Sequence, residues 1–399
     1  MNILHQHNTA ALPTKIVYQP ACIGPMPLSV EIGDLWNNGG SGIGYGSEAA
    51  KSALGEYFER RHFYMEILPD KTGTLDTHLS NDETGDFINA FAQTRDNNIP
   101  ANDIAQHNYH LTKVCRTTDF SICHVPTVCI SLSAHHIESD CAIYPRRDTC
   151  GCSFHWDPML AIFGSLKEQL ERQFLLRFWL TKKCRKVVES AEVLEQLKSS
   201  KTLKLYTALT QAGELTVIDI LDRDFPGTCL LTVYGSDDCT RRVKYCAGMA
   251  YAETTEAALT KSILELWQTY RFMDLHHATL CDTDEIEDPY LVHFLNCNTH
   301  QTYQDICNTH VSHTPKANQT TPFTTNGLLD VLSKLNIHGF VYIKMITFDS
   351  DHYFASKYFS PHLFLHMNNS QNINFNNTYS AQFSHEVYVE RRNMMVPFP

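Results

Sequence analysis

The sequence has 399 residues, of which 43% are hydrophobic and 11% aromatic, and a formal net charge of −12. This length and apolar content allow a large hydrophobic core, so the composition excludes disorder as the general state of the chain. The acidic balance argues against nucleic acid and anionic membranes as partners. The first residues lack a basic segment followed by a long apolar run, so neither a signal peptide nor a membrane span is predicted, and we expect a cytoplasmic protein.

Three stretches repeat one pattern, near residues 39–61, 151–173 and 248–271. They are "GGSGIGYGSEAAKSALGEYFER", "GCSFHWDPMLAIFGSLKEQLER" and "GMAYAETTEAALTKSILELWQ". In each, a glycine is followed ten positions later by alanine, then by a small residue, a glutamate, and a glutamate or glutamine. Because the spacings are three and four residues, these positions share one side of a helix. Each stretch therefore predicts a glycine-rich turn followed by a helix with a stripe of carboxylates.

The segments between the repeats predict a mixed α/β fold. Apolar and β-branched runs predict strands at 127–134, 215–221, 229–236 and 339–348, and residues 187–200 predict a further helix. Residues 311–327 are typical of a loop, and the asparagine-rich run "MNNSQNINFNN" is typical of turns and polar strand edges. The repeats are so far apart in sequence that they can share a site only if residues 1–399 fold as one domain.

Fourteen cysteines are scattered through the chain, and without a secretory signal they are expected to be free thiols. Cys150 and Cys152 form a C-x-C pair, which can bind zinc only if two more soft ligands lie nearby. The sequence offers no obvious second pair. Buried structural thiols are therefore the favoured interpretation, and a metal–thiolate site is the alternative.

The repeated acidic positions are the candidate functional residues. On a single helix, Glu56, Glu59 and Arg60 would be interpreted as a solvated face with local ion pairs. Repetition on three helices favours a Mg²⁺ site instead, because Mg²⁺ takes oxygen ligands and shares them with substrate phosphates. Arg60 and Arg172 each follow a glutamate and are suited to binding phosphate or holding the carboxylates. The chain has no Walker A motif and no kinase signature, so a different nucleotide-binding fold is predicted.

The stretches "SALGEYFERR", "SLKEQLERQ" and "SILELWQTY" resemble the three ATP-binding motifs of the YcaO family. The resemblance extends over almost the whole chain, and "RDTCGCSFH", "LFLHMNNS" and the final "MVPFP" are similar to an azoline-forming member. It implies a YcaO fold and an ATP-dependent cyclodehydratase. In such an enzyme a Cys thiol or Ser (Thr) hydroxyl of a ribosomal precursor peptide attacks the preceding carbonyl. ATP phosphorylates the resulting oxyanion, and loss of phosphate leaves a thiazoline or oxazoline, as in biosynthesis of a microcin-B-like azole antibiotic.

By this resemblance the three motifs converge on one site for ATP and Mg²⁺. The residues implied to bind cofactor are Glu56, Glu59, Arg60, Glu168, Glu171, Arg172, Glu265 and Gln268. Those implied to bind the metal are Glu56, Glu59, Glu168 and Glu171. The third motif departs from the first two because Gln268 replaces their second glutamate, so its direct role at the metal is ranked lowest. The proline-rich tail, residues 393–399, is implied to lie in the active site, with the terminal carboxylate of Pro399 as the catalytic base.

No separate peptide-recognition domain is obvious before the first repeat, so a partner is expected to supply that function. By resemblance, the partners are a leader-peptide-binding subunit and an FMN-dependent dehydrogenase that oxidises azolines to azoles. Two alternatives remain open. One is a non-catalytic docking scaffold. Loss of the acidic motifs would indicate such a scaffold, and all three motifs are intact in this sequence. The other is a YcaO enzyme that forms thioamides, against which the proline-ended tail argues.

Overall fold

A computed structural model describes residues 15–19, 26–35, 38–279, 286, 288–312, 321–348 and 351–398. The α-helices in these ranges are α1 (Glu48–Arg61), α2 (Asn81–Thr94), α3 (Ala101–Gln106), α4 (Pro158–Thr181), α5 (Ser190–Leu197), α6 (Leu203–Ala212), α7 (Thr255–Thr279), α8 (Pro289–Asn296), α9 (His300–Cys307), α10 (Thr325–Lys334) and α11 (Thr378–Ala381). The strands are β1 (Lys15–Gln19), β2 (Leu28–Gly33), β3 (Gly39–Gly44), β4 (Lys71–Gly73), β5 (Tyr109–Arg116), β6 (Ile122–Pro126), β7 (Cys152–His155), β8 (Lys183–Cys184), β9 (Lys186–Val188), β10 (Glu214–Asp219), β11 (Thr228–Gly235), β12 (Tyr245–Ala252), β13 (His310–Val311), β14 (Phe340–Phe348) and β15 (Asp351–Phe359). Among the described helices, none combines the length and the apolar character needed to cross a membrane.

Each motif helix packs on a different sheet. Helix α1 lies on the sheet β1-β2-β3, α4 on β4-β5-β14-β15-β7, and α7 on β12-β11-β10-β9. The pairing within these three sheets is antiparallel. In every case the strand that directly precedes the helix, β3, β7 or β12, is at one end of its sheet. The repeated unit is therefore an edge strand followed by a helix that folds back onto it.

The prediction of glycine-rich turns before the helices is wrong for the third motif and for most glycines of the first, in which Gly46 lies in the turn before α1 with a φ of +66°. Gly39 to Gly44 form strand β3, and Gly248 lies in the middle of β12. A β-carbon on Gly42 would lie 2.1 Å from the Ala49 carbonyl oxygen, and one on Gly248 would lie 2.1 Å from the Leu266 nitrogen. Glycine is needed at these positions because the helix backbone approaches the strand too closely for a side chain. In the second motif Gly151 does occupy a turn, with a φ of +70°.

The strand predicted at 127–134 is also wrong. The strand in this region is β6, which ends at Pro126, and Thr127–Cys129 form a 3-10 turn. Proline has no N–H to donate and therefore favours the end of a strand. The other three predicted strands are confirmed as β10, β11 and β14, and the helix predicted at 187–200 is confirmed as α5.

The predicted loop at 311–327 lies partly outside the described residues, because 313–320 are not described. Its last residues begin helix α10, where the Thr324 hydroxyl accepts a hydrogen bond from the Gly327 N–H. The asparagine-rich run at 367–377 forms turns, as predicted, but contains no strand, so the strand edges also predicted for it are wrong. The described cysteines are free thiols, and Cys150 and Cys152 are buried, which confirms the favoured interpretation.

Candidate active site

All eight candidate cofactor residues line one cavity of about 1450 Å³. They are Glu56, Glu59 and Arg60 from α1, Glu168, Glu171 and Arg172 from α4, and Glu265 and Gln268 from α7. Pockets for small ligands are typically about 300–1,000 Å³. This cavity therefore has room for a ligand of nucleotide size and part of a second molecule.

On α1, two donors fix the carboxylate of Glu56. The Ser41 N–H of strand β3 donates to Oε2 at 2.9 Å, and Arg60 Nε donates to Oε1 at 2.9 Å. The residues Glu56 and Arg60 are one helical turn apart, so they meet on one face of α1. In the described structure Arg60 therefore orients Glu56, which is one of the two roles predicted for it.

On α4, Glu171 joins its helix to the edge strand of another unit. The Tyr251 N–H of β12 donates to Glu171 Oε2 at 2.6 Å, and Lys167 Nζ lies 3.6 Å from the same oxygen. Glu171 is buried, with 6% of its surface exposed. A buried carboxylate with a backbone donor is held in one orientation, so Glu171 contributes to the assembly of the cavity as well as to its charge.

On α7, Gln268 makes a comparable link to the first unit. Its side-chain amide donates a hydrogen bond to the hydroxyl of Ser41, the residue whose N–H binds Glu56. On the same helix, Lys261 lies one turn before Glu265, and Lys261 Nζ is 3.3 Å from Glu265 Oε1. The neighbouring Glu265 carboxylate raises the pKa of Lys261, which is therefore charged at neutral pH.

The carboxylates of the cavity are only partly neutralised. Burial raises the pKa of Glu59 to about 7, and the nearby Glu56 carboxylate adds to the shift. Burial also raises the pKa of Glu168 well above its usual range, with a further contribution from Glu59, and burial raises the pKa of Glu265. Such shifts arise where negative charges are desolvated close together. A bound cation would remove this repulsion.

Hard oxygen donors and excess negative charge fit Mg²⁺. Within the described ranges, no three His, Cys, Asp or Glu side chains are arranged closely enough to hold a metal ion by themselves. Mg²⁺ commonly takes one or two protein carboxylates and completes its shell with water and substrate phosphates. The arrangement therefore fits a cation that arrives together with a nucleotide rather than a permanent protein-only metal centre.

The C-terminal tail runs to the same cavity. Residues 396–398 are buried, and Phe398 is one of the cavity-lining side chains. The Tyr245 hydroxyl donates to the Pro397 carbonyl at 2.8 Å, and the Tyr290 hydroxyl donates to the Phe398 carbonyl at 2.8 Å. Pro399, the predicted catalytic residue, lies outside the described residues.

Several cavity residues are absent from the sequence-based set. Lys167 and Lys261 lie on the motif helices, and their distance of four residues from Glu171 and Glu265 is the signal that would have identified them. Glu31 and Tyr290 come from β2 and α8, outside the repeats, and no spacing in the sequence points to them. Burial, with a contribution from Glu56, raises the pKa of Glu31 to about 7.

Comparison with known proteins identifies the family to which this chain belongs. Residues 41–340 match the family described as YcaO cyclodehydratase, ATP- and Mg²⁺-binding. The chain therefore belongs to the YcaO family, as the three motifs predicted.

One relative is the microcin B17-processing protein McbD of Escherichia coli, which is 33% identical over 396 residues, covering 98% of both proteins. A solved structure of the E. coli microcin synthetase McbBCD complex with pro-MccB17 bound contains a similar chain, with a TM-score of 0.86 and 32% identity over 98% of each chain. The YcaO protein of Methanopyrus kandleri, solved with AMPPCP and Mg²⁺, has a TM-score of 0.54 and 11% identity over 90% of this chain and 89% of that one. The last likeness is one of fold, and together these matches confirm the predicted YcaO fold.

Proposed function

We propose that this protein is an ATP-dependent cyclodehydratase that converts Cys and Ser (Thr) residues of a ribosomal precursor peptide to thiazolines and oxazolines. The observation that carries the proposal is the meeting of eight motif residues, from three distant segments, in one cavity. Membership of a family described as ATP- and Mg²⁺-binding cyclodehydratases supports the reaction type. Likeness to McbD over 98% of the chain supports a role in making a microcin-B-like azole peptide antibiotic.

In the proposed mechanism, bound ATP with Mg²⁺ supplies the phosphoryl group that turns the backbone amide oxygen into a leaving group. Glu56, Glu59, Glu168 and Glu171 hold the metal, and Glu265 and Gln268 complete the nucleotide site. Arg172 contacts phosphate, whereas Arg60 holds Glu56 in place through the hydrogen bond already described. The buried tail brings its terminal carboxylate, that of Pro399, to the peptide, where it accepts the proton of the attacking thiol or hydroxyl.

The proposed partners follow from the relatives. The similar solved chain belongs to a synthetase complex, McbBCD, with the peptide pro-MccB17 bound. We therefore assign to this protein a precursor peptide, a leader-peptide-binding subunit and an FMN-dependent azoline dehydrogenase as partners. We also assign the assembly to the cytoplasm, where ATP is supplied.

The direct test is mass spectrometry of the precursor peptide after incubation with this protein, its partner subunits, ATP and Mg²⁺. Each ring formed without the dehydrogenase removes one water from the peptide. Glu168→Gln is expected to abolish this loss, because an amide cannot ionise to bind the cation. The matched control is Glu192→Gln, which alters a carboxylate outside the cavity that pairs with Lys186.

Other outcomes discriminate the alternatives. A peptide that binds but stays unmodified with all components present would indicate a docking scaffold. Replacement of a backbone oxygen by sulfur, given a sulfur source, would indicate thioamide formation. Undiminished ring formation by Glu168→Gln would contradict the proposed nucleotide site. Omission of the leader-binding subunit is expected to leave the isolated chain nearly inactive.

A further inference from the structure

The side chain of Asn369 binds the tail on both sides of Met395. Asn369 Nδ2 donates to the Met394 carbonyl at 2.8 Å, and Asn369 Oδ1 accepts from the Val396 N–H at 3.0 Å. The same Nδ2 donates at 3.0 Å to the carbonyl of Arg391, two residues before the tail begins. One buried amide therefore imitates a neighbouring β-strand, since it pairs with a carbonyl and an N–H that are two residues apart.

The segment that carries Asn369 is fixed to helix α4, which also carries Glu168 and Glu171. Gln173 exchanges two hydrogen bonds with the backbone of Phe364, at 2.9 and 3.1 Å. Gln169 Nε2 donates to the same Phe364 carbonyl at 3.0 Å. One face of α4 therefore presents the carboxylates to the cavity. The buried glutamines of the same helix fix where along α4 the segment that leads to Asn369 is attached.

A second connection comes from the turn before β7. Asp148 Oδ2 accepts the Met367 N–H at 2.7 Å, and its Oδ1 accepts the Cys150 N–H at 3.0 Å. Met367 is two residues before Asn369, so this contact restricts the chain directly beside the amide. Asn369 is consequently held in register with the second motif from two directions.

Other groups hold the tail at single atoms. Trp179 Nε1, on α4, donates to the Met394 carbonyl at 2.8 Å, and Tyr245 and Tyr290 each bind one carbonyl further along. Among the described tail contacts, only that of Asn369 engages both a tail N–H and a tail carbonyl from one side chain. A bidentate contact fixes the rotation of the chain as well as its position, which single hydrogen bonds do less well.

From these contacts we infer that Asn369 is a positioning residue that sets the register of the tail, residues 394–398, so that the end of the chain enters the cavity at a fixed depth. This gives a function to the asparagine-rich run, which the sequence-based interpretation treated as turns and polar strand edges. The effect on catalysis rests on the proposed function of the tail, whereas the effect on tail order does not. A misplacement of about 1 Å can cost about 100-fold in rate.

The first experiment measures tail order in the full-length protein by amide hydrogen exchange of a peptide covering residues 394–399. Asn369→Ala is expected to speed exchange on the order of tenfold or more, since several hydrogen bonds to the tail are lost. The matched control is Asn377→Ala. Asn377 is a buried asparagine of the same run, and its Oδ1 accepts the Ser380 N–H at the start of α11. This control lowers stability without touching the tail and is expected to leave tail exchange unchanged. Equal tail exchange in the wild type and Asn369→Ala would overturn the inference.

The second experiment measures ring formation and the KM for ATP with the partner subunits present. Asn369→Ala is expected to lower kcat about 100-fold with little change in the KM for ATP. In a protein that lacks residues 397–399, Asn369→Ala is expected to have no further effect, because the group that it positions is gone. A full additional loss in that background would show a general structural role and overturn the inference. Faster tail exchange with normal ring formation would uphold the positioning by Asn369 and contradict the proposed function of the tail.

Discussion

The amide of Gln268 donates to the hydroxyl of Ser41, and so joins the third motif helix to the edge strand of the first motif. The same serine donates its N–H to Glu56 at 2.9 Å. The glutamine that replaces the second glutamate of the pattern is therefore a donor at the junction of two units. A carboxylate at this position could not donate a hydrogen bond to Ser41, and it would add a second negative charge near Glu56.

Gln268→Glu is expected to weaken binding of Mg²⁺·ATP on the order of tenfold, which corresponds to about 1.4 kcal/mol. The loss has two causes, the missing donor and the like charge near Glu56. Titration calorimetry measures the affinity. Ser41→Ala serves as the control, since it removes the hydrogen bond without adding a charge, and it is expected to have a smaller effect. Unchanged or tighter binding by Gln268→Glu would instead indicate that residue 268 is a metal ligand.

The raised pKa values predict how the stability of the ligand-free protein depends on pH. Glu59 has a pKa of about 7 in the folded protein, against 4.5 for an unperturbed Glu. The folded state therefore binds protons more tightly than the unfolded state. This stabilisation is fully present below about pH 4.5 and is lost as the pH rises through about 7.

Glu59→Gln is therefore expected to make the melting temperature less sensitive to pH between about 5 and 8. Differential scanning calorimetry of both proteins across this range tests the expectation. Glu192→Gln, outside the cavity, should keep the pH dependence of the wild type. An identical pH dependence for Glu59→Gln and the wild type would show that Glu59 ionises like an ordinary surface carboxylate.

Gly248→Ala is expected to destabilise the protein by about 1–3 kcal/mol, because the new methyl group must displace helix α7 from strand β12. The nearest atoms to such a β-carbon are backbone atoms, the Leu266 nitrogen at 2.1 Å and the Ser262 oxygen at 2.3 Å. Gly85→Ala is the matched control. Gly85 lies in helix α2, and no described atom beyond its chain neighbours and the backbone of its own helix comes within 4 Å of an added β-carbon, so alanine should stabilise by about 0.5–1 kcal/mol. Urea unfolding measures both changes, and equal stabilities of the two variants would contradict the close packing.

Removal of residues 397–399 is expected to reduce cyclodehydration by orders of magnitude and to spare most nucleotide binding. The ring of Phe398 lies beside that of Trp179, with the two ring centroids 6.1 Å apart, so loss of the tail should also change tryptophan fluorescence. Blocking the terminal carboxylate with a C-terminal tag should act similarly, whereas the same tag at the N-terminus should not. Normal turnover with a blocked C-terminus would exclude the carboxylate of Pro399 from the mechanism.

The sequence predicted the carboxylate helices well because their pattern is local. Glu56 and Glu59, or Glu168 and Glu171, are three residues apart, and helix geometry alone puts such pairs on one side. The strand predicted at 127–134 failed because a short apolar run does not show which of its residues pair with a neighbour. The prediction of one domain spanning 1–399 stays a prediction.

By itself, the sequence determined the three motif helices, their acidic stripes and the resemblance to the YcaO family, because each depends on residue types at short spacing. Only the tertiary structure showed that Gly42 and Gly248 lie in edge strands against the helices, and that Glu31, Lys261 and Tyr290 share the cavity. It also decided which asparagine holds the tail. These features depend on contacts such as that of Ser41 with Gln268, 227 residues apart, and no local periodicity records which distant residues will meet.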